Sequence, residues 1–256
     1  MVLFLFFFGL FFGSFLNVLV DRIPRGETFI KGHSHCEFCK KNLQWYDLIP
    51  VLSFVLLKGK CRYCKHPLSL FYPIIEISTG LLFALTSLFI PSYFIISFIY
   101  CLFIISSFIV IFFTDLKSGI IPDKILLPAV VITFLYLLFF NPSLFIFNTV
   151  CGISAFLFFV IIAVAFKLLT KKDSLGGGDI KLVFLLGLFL GFPNIIISLY
   201  IAFLTGALIG IILILWRKKS FQKATIPFGP FLILGAIVSL FFGTPIYACA
   251  LKLLGY

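Results

Sequence analysis

The chain has 256 residues, of which 62% are hydrophobic and only 11% are charged. Mean hydropathy is +1.23, and a soluble domain of this size would lack the polar surface to cover itself, which excludes a water-soluble enzyme. The formal net charge is +11, but no compact basic fold is available to present it, which argues against a nucleic-acid partner.

A membrane helix needs about 20 apolar residues. The sequence therefore predicts an all-α polytopic membrane protein of about eight transmembrane helices, near 1–20, 71–90, 93–114, 121–140, 144–166, 180–192, 195–216 and 228–254. The connections alternate in kind. Those at 91–92, 141–143 and 193–194 are tight and uncharged, whereas those at 21–70, 115–124, 167–181 and 217–227 hold 19 of the 20 Lys and Arg. The positive-inside rule puts the basic connections in the cytoplasm and both termini on the other side. Their main role is topological, and attraction to anionic membrane lipid is a second.

The first span, 1–20, has no basic n-region and no A-x-A site, so it reads as a retained helix and not a cleaved signal peptide. Gly9 and Gly13 form a G-x-x-x-G that lets another helix approach closely. Asn17 lies one turn beyond Gly13 on the same face, where an amide should meet protein and not lipid.

Residues 21–70 form the only sizeable polar segment. It contains Cys36-x-x-Cys39 and Cys61-x-x-Cys64. Two such pairs at this distance point to a four-thiolate structural zinc site. So short a segment has little apolar core, and the metal must supply much of its folding free energy. Disulfides or free thiols are the alternatives, and a reducing cytoplasm disfavours the former. His33, His35 and His66 read as bystanders, with one of them an alternative ligand. Cys101, Cys151 and Cys249 sit singly in apolar spans as small core residues.

Glu76 lies inside the second predicted span, and Gly80 follows one turn later. Glu76 either snorkels or is protonated, or it makes a polar contact to the catalytic region or a bound cofactor. Asp115 closes the third predicted span. Gly176, Gly177 and Gly178 precede Asp179, which opens a run of 14 apolar residues. As a helix that run is about 21 Å long, short of a hydrocarbon thickness of about 30 Å, so Asp179 should be recessed. The stretch lacks the G-K-[ST] ending of a phosphate loop. Pro227-Phe228-Gly229-Pro230 makes a rigid turn into the last span.

The topology puts Asp115 and Asp179 at one membrane face. Two carboxylates brought together away from water share a proton. The ionised one can activate water while the protonated one polarises a carbonyl. This is the chemistry of an aspartic peptidase, without metal or covalent intermediate.

The chain resembles the type IV prepilin peptidases, the bifunctional leader peptidase/N-methyltransferase branch of the G-x-G-D aspartyl proteases. The resemblance covers nearly the whole chain. It rests on Gly13-Ser14-Phe15-Leu16-Asn17-Val18 with Arg22-Ile23-Pro24, the two cysteine pairs, Tyr72-Pro73 with Glu76, Asp115 with Ile121-Pro122-Asp123, Gly176 to Asp179 with Lys181-Leu182, and Pro227-Phe228-Gly229-Pro230. One departure is Glu37, where the family often has proline. The resemblance implies cleavage of prepilins or pseudopilins at the cytoplasmic side of the bacterial inner membrane by Asp115 and Asp179. Gly176, Gly178, Pro122, Asp123 and Lys181 are then the supporting motif. It also implies methylation of the new N-terminal residue, usually Phe, from S-adenosyl-L-methionine, at the cysteine domain and the Glu76–Gly80 region. The regions are thus 1–20, a first helix; 21–70, a zinc domain; and 71–256, a peptidase domain. The competing readings are a zinc-bearing scaffold or transporter without chemistry, and a peptidase that has lost methylation.

Overall fold

The computed structural model describes residues 1–28, 34–89, 95–171, 176–216 and 227–253. His33, the expected turn at Pro91-Ser92, and the basic residues Lys31, Lys172, Arg217, Lys218, Lys219 and Lys223 lie outside the described residues. By internal packing the chain forms two compact units, Met1–Thr114 and Asp115–Tyr256.

The first unit is built on α1 (Val2–Arg22) and α3 (Phe71–Phe89), which pack along one another. Small residues make this possible. A Cβ added at Gly9 would lie 2.7 Å from the Gly80 Cα, and one at Gly13 would lie 2.7 Å from the Glu76 Cα. Real side chains cannot approach that closely, so the helices meet backbone to backbone. The expected G-x-x-x-G of α1 has found its partner face, and Gly80 belongs to that crossing. Between these helices lie two cysteine knuckles, a 3-10 turn at Trp45–Leu48 and a short helix, α2 (Leu52–Leu56). Helix α4 (Ile95–Ser118) follows. It runs four residues past the expected end at 114, so Asp115 lies inside its last turn, beside Lys117.

The second unit contains α5 (Asp123–Phe140), α6 (Pro142–Thr170), α7 (Gly177–Leu190), α8 (Asn194–Trp216) and α9 (Gly229–Leu253). Helix α7 touches each of the other four. Leu182, Val183 and the consecutive Leu185, Leu186, Gly187 and Leu188 are all buried. Burial on every side of a helix is what a uniformly apolar sequence requires. The α6–α7 crossing is again set by glycine, since a Cβ on Gly187 would lie 2.6 Å from the Gly152 Cα. Asn148 locks the crossing by donating from Nδ2 to the Leu188 carbonyl at 3.0 Å. Helices α8 and α9 are joined where the Ser239 hydroxyl donates to the Asn194 carbonyl at 2.6 Å.

Seven of the described helices are long and apolar enough to cross a membrane. The 14-residue α7 falls short of that length and occupies the place of the sixth expected span, 180–192. The all-α, multi-pass architecture expected from composition is therefore present.

Candidate active site and metal centre

The two cysteine knuckles have the same local fold. In the first, Lys40 N–H donates to the Cys36 carbonyl at 2.8 Å and Cys36 N–H to the Lys41 carbonyl at 3.0 Å. In the second, Lys65 N–H donates to the Cys61 carbonyl at 3.0 Å and Cys61 N–H to the His66 carbonyl at 2.8 Å. Lys40 and Lys65, each just after the second cysteine of its pair, both take positive φ, at 56° and 59°. These tight turns bring one sulfur of each of Cys36, Cys39, Cys61 and Cys64 within 4.8 Å of the others. The His66 ring stacks on Phe38 and is not in this group.

A brace centred on Asp47 holds the second knuckle to the 3-10 turn. Asp47 accepts from Arg62 Nε at 2.5 Å, from the Tyr63 hydroxyl at 3.1 Å and from the Gln44 N–H at 3.1 Å. Burial pushes its carboxyl upward, but these donors, led by Arg62, outweigh burial and hold it below the usual carboxylate range.

Glu76 ties α3 to both neighbours in the first unit. Its Oε2 accepts from the Val51 N–H at 2.8 Å, and its Oε1 from Asn17 Nδ2 at 3.4 Å. It is 7% exposed and lines a cavity of about 350 Å³ between the knuckles and the ends of α1 and α3. Asn17, Asp21, Arg25, Phe38 and Tyr72 line the same cavity. Gly80 does not line it.

Asp115, Asp179 and the supporting motif lie together in the second unit. Gly176, in extended conformation (φ −67°, ψ 136°), caps α7 and puts Asp179 in its first turn. The positive end of a helix suits a carboxylate. Asp115 is 4% exposed, and its Oδ2 has no hydrogen-bond partner. The two carboxyl groups are close enough to act on each other electrostatically.

Glycines make room around them. A Cβ on Gly229 would fall 2.5 Å from Asp115 Oδ2, and one on Gly178 would fall 2.9 Å from the Ile121 Cβ. Gly176 lies against Asp179, where a Cβ would be 3.2 Å from Oδ2. Ile121 also faces Gly229, 3.3 Å from the position of a Cβ there. Pro122 caps α5, which begins with Asp123. Lys181 Nζ donates to both oxygens of Asp123 at 2.9 Å. This exposed pair pins the start of α5 to α7, and it is worth little energetically.

A family model described as Bacterial Peptidase A24 N-terminal domain matches residues 7–90, and one described as Type IV leader peptidase family matches residues 102–211. A protein of Burkholderia pseudomallei (strain 1026b), named prepilin leader peptidase/N-methyltransferase, is 31% identical over 93% of this chain and 84% of its own length. The chain belongs to the type IV leader peptidase family. It is thus an aspartic peptidase with N-methyltransferase activity. Relatives of the same name from Bacillus subtilis (strain 168) and Aeromonas hydrophila are 30% and 32% identical to the peptidase. They cover 97% and 94% of it, over 97% and 90% of their own lengths. No solved structure matches the chain.

Sequence reasoning overlooked Asp47, whose brace joins residues 15 positions apart. It read Pro227-Phe228-Gly229-Pro230 as a rigid turn and as one of the family motifs, without the contact of Gly229 with Asp115. The dipeptide Phe228-Gly229 at a helix start was the available signal, but the carboxylate it faces is distant in sequence.

Proposed function

We propose that Asp115 and Asp179 are the catalytic pair that removes the leader of type IV prepilins or pseudopilins, at the cytoplasmic face of the bacterial cytoplasmic membrane. The observation that carries this reading is the buried, unpartnered Oδ2 of Asp115 beside the Asp179 carboxyl. A structural carboxylate in an apolar bundle would have its lone pairs satisfied. One with a vacant lone pair is suited to hold water or a proton.

With one proton between them, the ionised carboxylate takes a proton from water as its oxygen attacks the scissile carbonyl. The protonated carboxyl donates to the carbonyl oxygen. Collapse of the tetrahedral species breaks the C–N bond and returns a proton to the amine. Gly176, Gly178 and Gly229 leave room for an extended substrate backbone. Pro122, Asp123 and Lys181 hold the start of α5 against α7. The concentration of Lys and Arg in the alternate connections supports the cytoplasmic orientation.

In this reading 21–70 is a zinc domain and 71–256 the peptidase domain. A tetrahedral zinc with Zn–S of about 2.3 Å sets its sulfurs about 3.8 Å apart, and Cys36 Sγ and Cys64 Sγ are separated by 3.8 Å. The four cysteines therefore fit the ion, which would hold the two knuckles together. S-adenosyl-L-methionine would supply an electrophilic methyl group for the new N-terminal residue. The cavity volume is in the range of small-molecule sites. Its carboxylates, Glu76 among them, suit the donor's positive charge, Arg25 its carboxylate and Phe38 its base. Gly80 acts by setting the helix crossing that places Glu76.

The test is cleavage of a prepilin by the purified enzyme in detergent, with mass spectrometry of the product. Asp115→Asn and Asp179→Asn should each abolish cleavage, and the wild-type product should carry one added methyl group. Full cleavage by either variant rejects the pair.

A further inference from the structure

The short helix α2 turns an apolar face outward. Ser53, Phe54 and Leu57 line the cavity of the first unit. Leu52, Val55 and Leu56, at the i, i+3 and i+4 spacing of one helix face, are 52%, 64% and 71% exposed. A short helix in water would put polar residues on such a face.

The hydrogen bonds just before α2 fix its depth. The Ser14 hydroxyl donates to the Leu48 carbonyl at 3.4 Å, and the Val51 N–H donates to Glu76 Oε2 at 2.8 Å. Ser14 and Glu76 belong to α1 and α3, two of the helices long and apolar enough to cross a membrane. At 1.5 Å per residue, Ser14 lies about 12 Å along α1 from Arg22, and Glu76 lies about 7.5 Å along α3 from Phe71. A headgroup layer is about 5–8 Å thick on each side of the hydrocarbon core. With Arg22 and Phe71 at the outer edge of that layer, residues 48 and 51 reach the level where hydrocarbon begins, and Leu52 follows directly. The backbone suits that depth. The N–H groups of Ser53, Val55 and Leu57 donate to the carbonyls of Ile49, Val51 and Ser53, so they need no water. Beyond the apolar face come Lys58 and Lys60, both exposed. Lysines beside a buried apolar face extend their ammonium groups to headgroups.

We propose that residues 48–57 form a re-entrant segment, with Leu52, Val55 and Leu56 embedded in the lipid leaflet that borders the knuckles and Lys58 and Lys60 held to its anionic headgroups. The bare face then meets the same bilayer that α1 and α3 cross, and Leu70, 66% exposed, joins it at the start of α3. This placement needs only the multi-pass architecture, and neither the peptidase nor the methyl-transfer chemistry. It ties one wall of the cavity to the membrane.

The test is fluorescence of the full-length enzyme in phospholipid nanodiscs. Trp45→Phe with Trp216→Phe removes both native tryptophans, and Leu56→Trp or, on the same face, Val55→Trp supplies the probe. Unchanged gel-filtration elution and leader cleavage show that each variant is folded. Phospholipids brominated near the headgroup end of the acyl chain should remove most of the emission of both probes, and iodide in the buffer should remove little. Quenching by iodide and not by lipid puts the face in water and overturns the proposal. Protection from both quenchers means that protein covers the face, whether the rest of this chain, a second copy or a substrate helix, and overturns it equally. For the lysines, brominated phosphatidylglycerol should quench more than brominated phosphatidylcholine at the same mole fraction, by about twofold or more, because basic side chains at the surface enrich anionic lipid several-fold. Lys58→Gln with Lys60→Gln should bring the two to parity. Equal quenching before that substitution overturns the headgroup contact.

Discussion

The two units hold their most buried acids, Glu76 and Asp115, differently. In the first, Asp21, Asp47 and Glu76 each accept at least one specific hydrogen bond, from Tyr72, from Arg62, Tyr63 and Gln44, and from Val51 and Asn17. In the second, Asp115 keeps a buried oxygen with no partner, and its neighbour across the site is another carboxyl group. A satisfied carboxylate builds and orients a pocket. An unsatisfied one is available to move protons. On the proposed reading, acids held by specific donors serve recognition and the Asp115–Asp179 pair serves chemistry, and each half of that contrast can be tested.

The largest expected effect is on the second unit. Asp179→Asn should lower leader cleavage by on the order of 10³-fold, within the span of general acid–base contributions. It should leave methylation of a pre-cut peptide beginning with Phe close to wild type. Parallel mass-spectrometric assays on prepilin and pre-cut peptide measure the split. Equal loss of both activities would erase the contrast between the units.

Removing the metal tests the first unit. Chelation, or Cys61→Ser, should release zinc and open the knuckles to limited proteolysis between residues 34 and 70, because structural zinc contributes on the order of 10 kcal/mol to such folds. Methyl transfer should be lost with the cavity, and cleavage should fall less. Metal analysis together with the protease pattern reads the outcome. A metal-free protein with intact knuckles would contradict it.

A finer probe is Gly229→Ala. Its Cβ would fall 2.5 Å from Asp115 Oδ2, so the carboxyl must move. Displacements of about 1 Å at a reacting group cost about 10²-fold in rate. The expected result is a fall in kcat of that order with thermal unfolding nearly unchanged. The smallest effect concerns Asp47. Its carboxyl is held below the usual range, so its stabilisation of the knuckle is complete above about pH 4 and is lost as pH falls through the folded-state value. Asp47→Asn should flatten that acid limb in a fluorescence-monitored unfolding series and leave neutral-pH cleavage intact.

Much of this was legible in the sequence because the signals are local. Hydrophobic run lengths predict the helices, and C-x-x-C pairs predict the knuckles. Gly9, Gly13 and Asn17 were readable as a face that meets protein. The third expected span closes at Asp115, and the helix α4 that forms it runs on to Ser118. Polar residues after Thr114 mark where lipid ends, but backbone hydrogen bonding carries the helix a turn further. What could not be read were the pairings: Glu76 with the Val51 N–H, Lys181 with Asp123 across 58 positions, and Gly229 against Asp115. No periodicity encodes which distant groups meet.

The amino-acid sequence by itself determined that this chain lives in a membrane, that four cysteines form two C-x-x-C pairs, and that Asp115 and Asp179 border apolar runs. Those properties follow from transfer free energy and short-range spacing. Tertiary structure decided which acids are satisfied and which are not. Helices packed at backbone distance through Gly9, Gly13 and Gly80 carry Glu76 and Asn17 to one cavity. Gly229 lies against Asp115 Oδ2 with no side chain, and that oxygen has no hydrogen-bond partner. The physical reason is that a hydrogen bond is directional and short, so only the packed positions of distant residues can grant or withhold it.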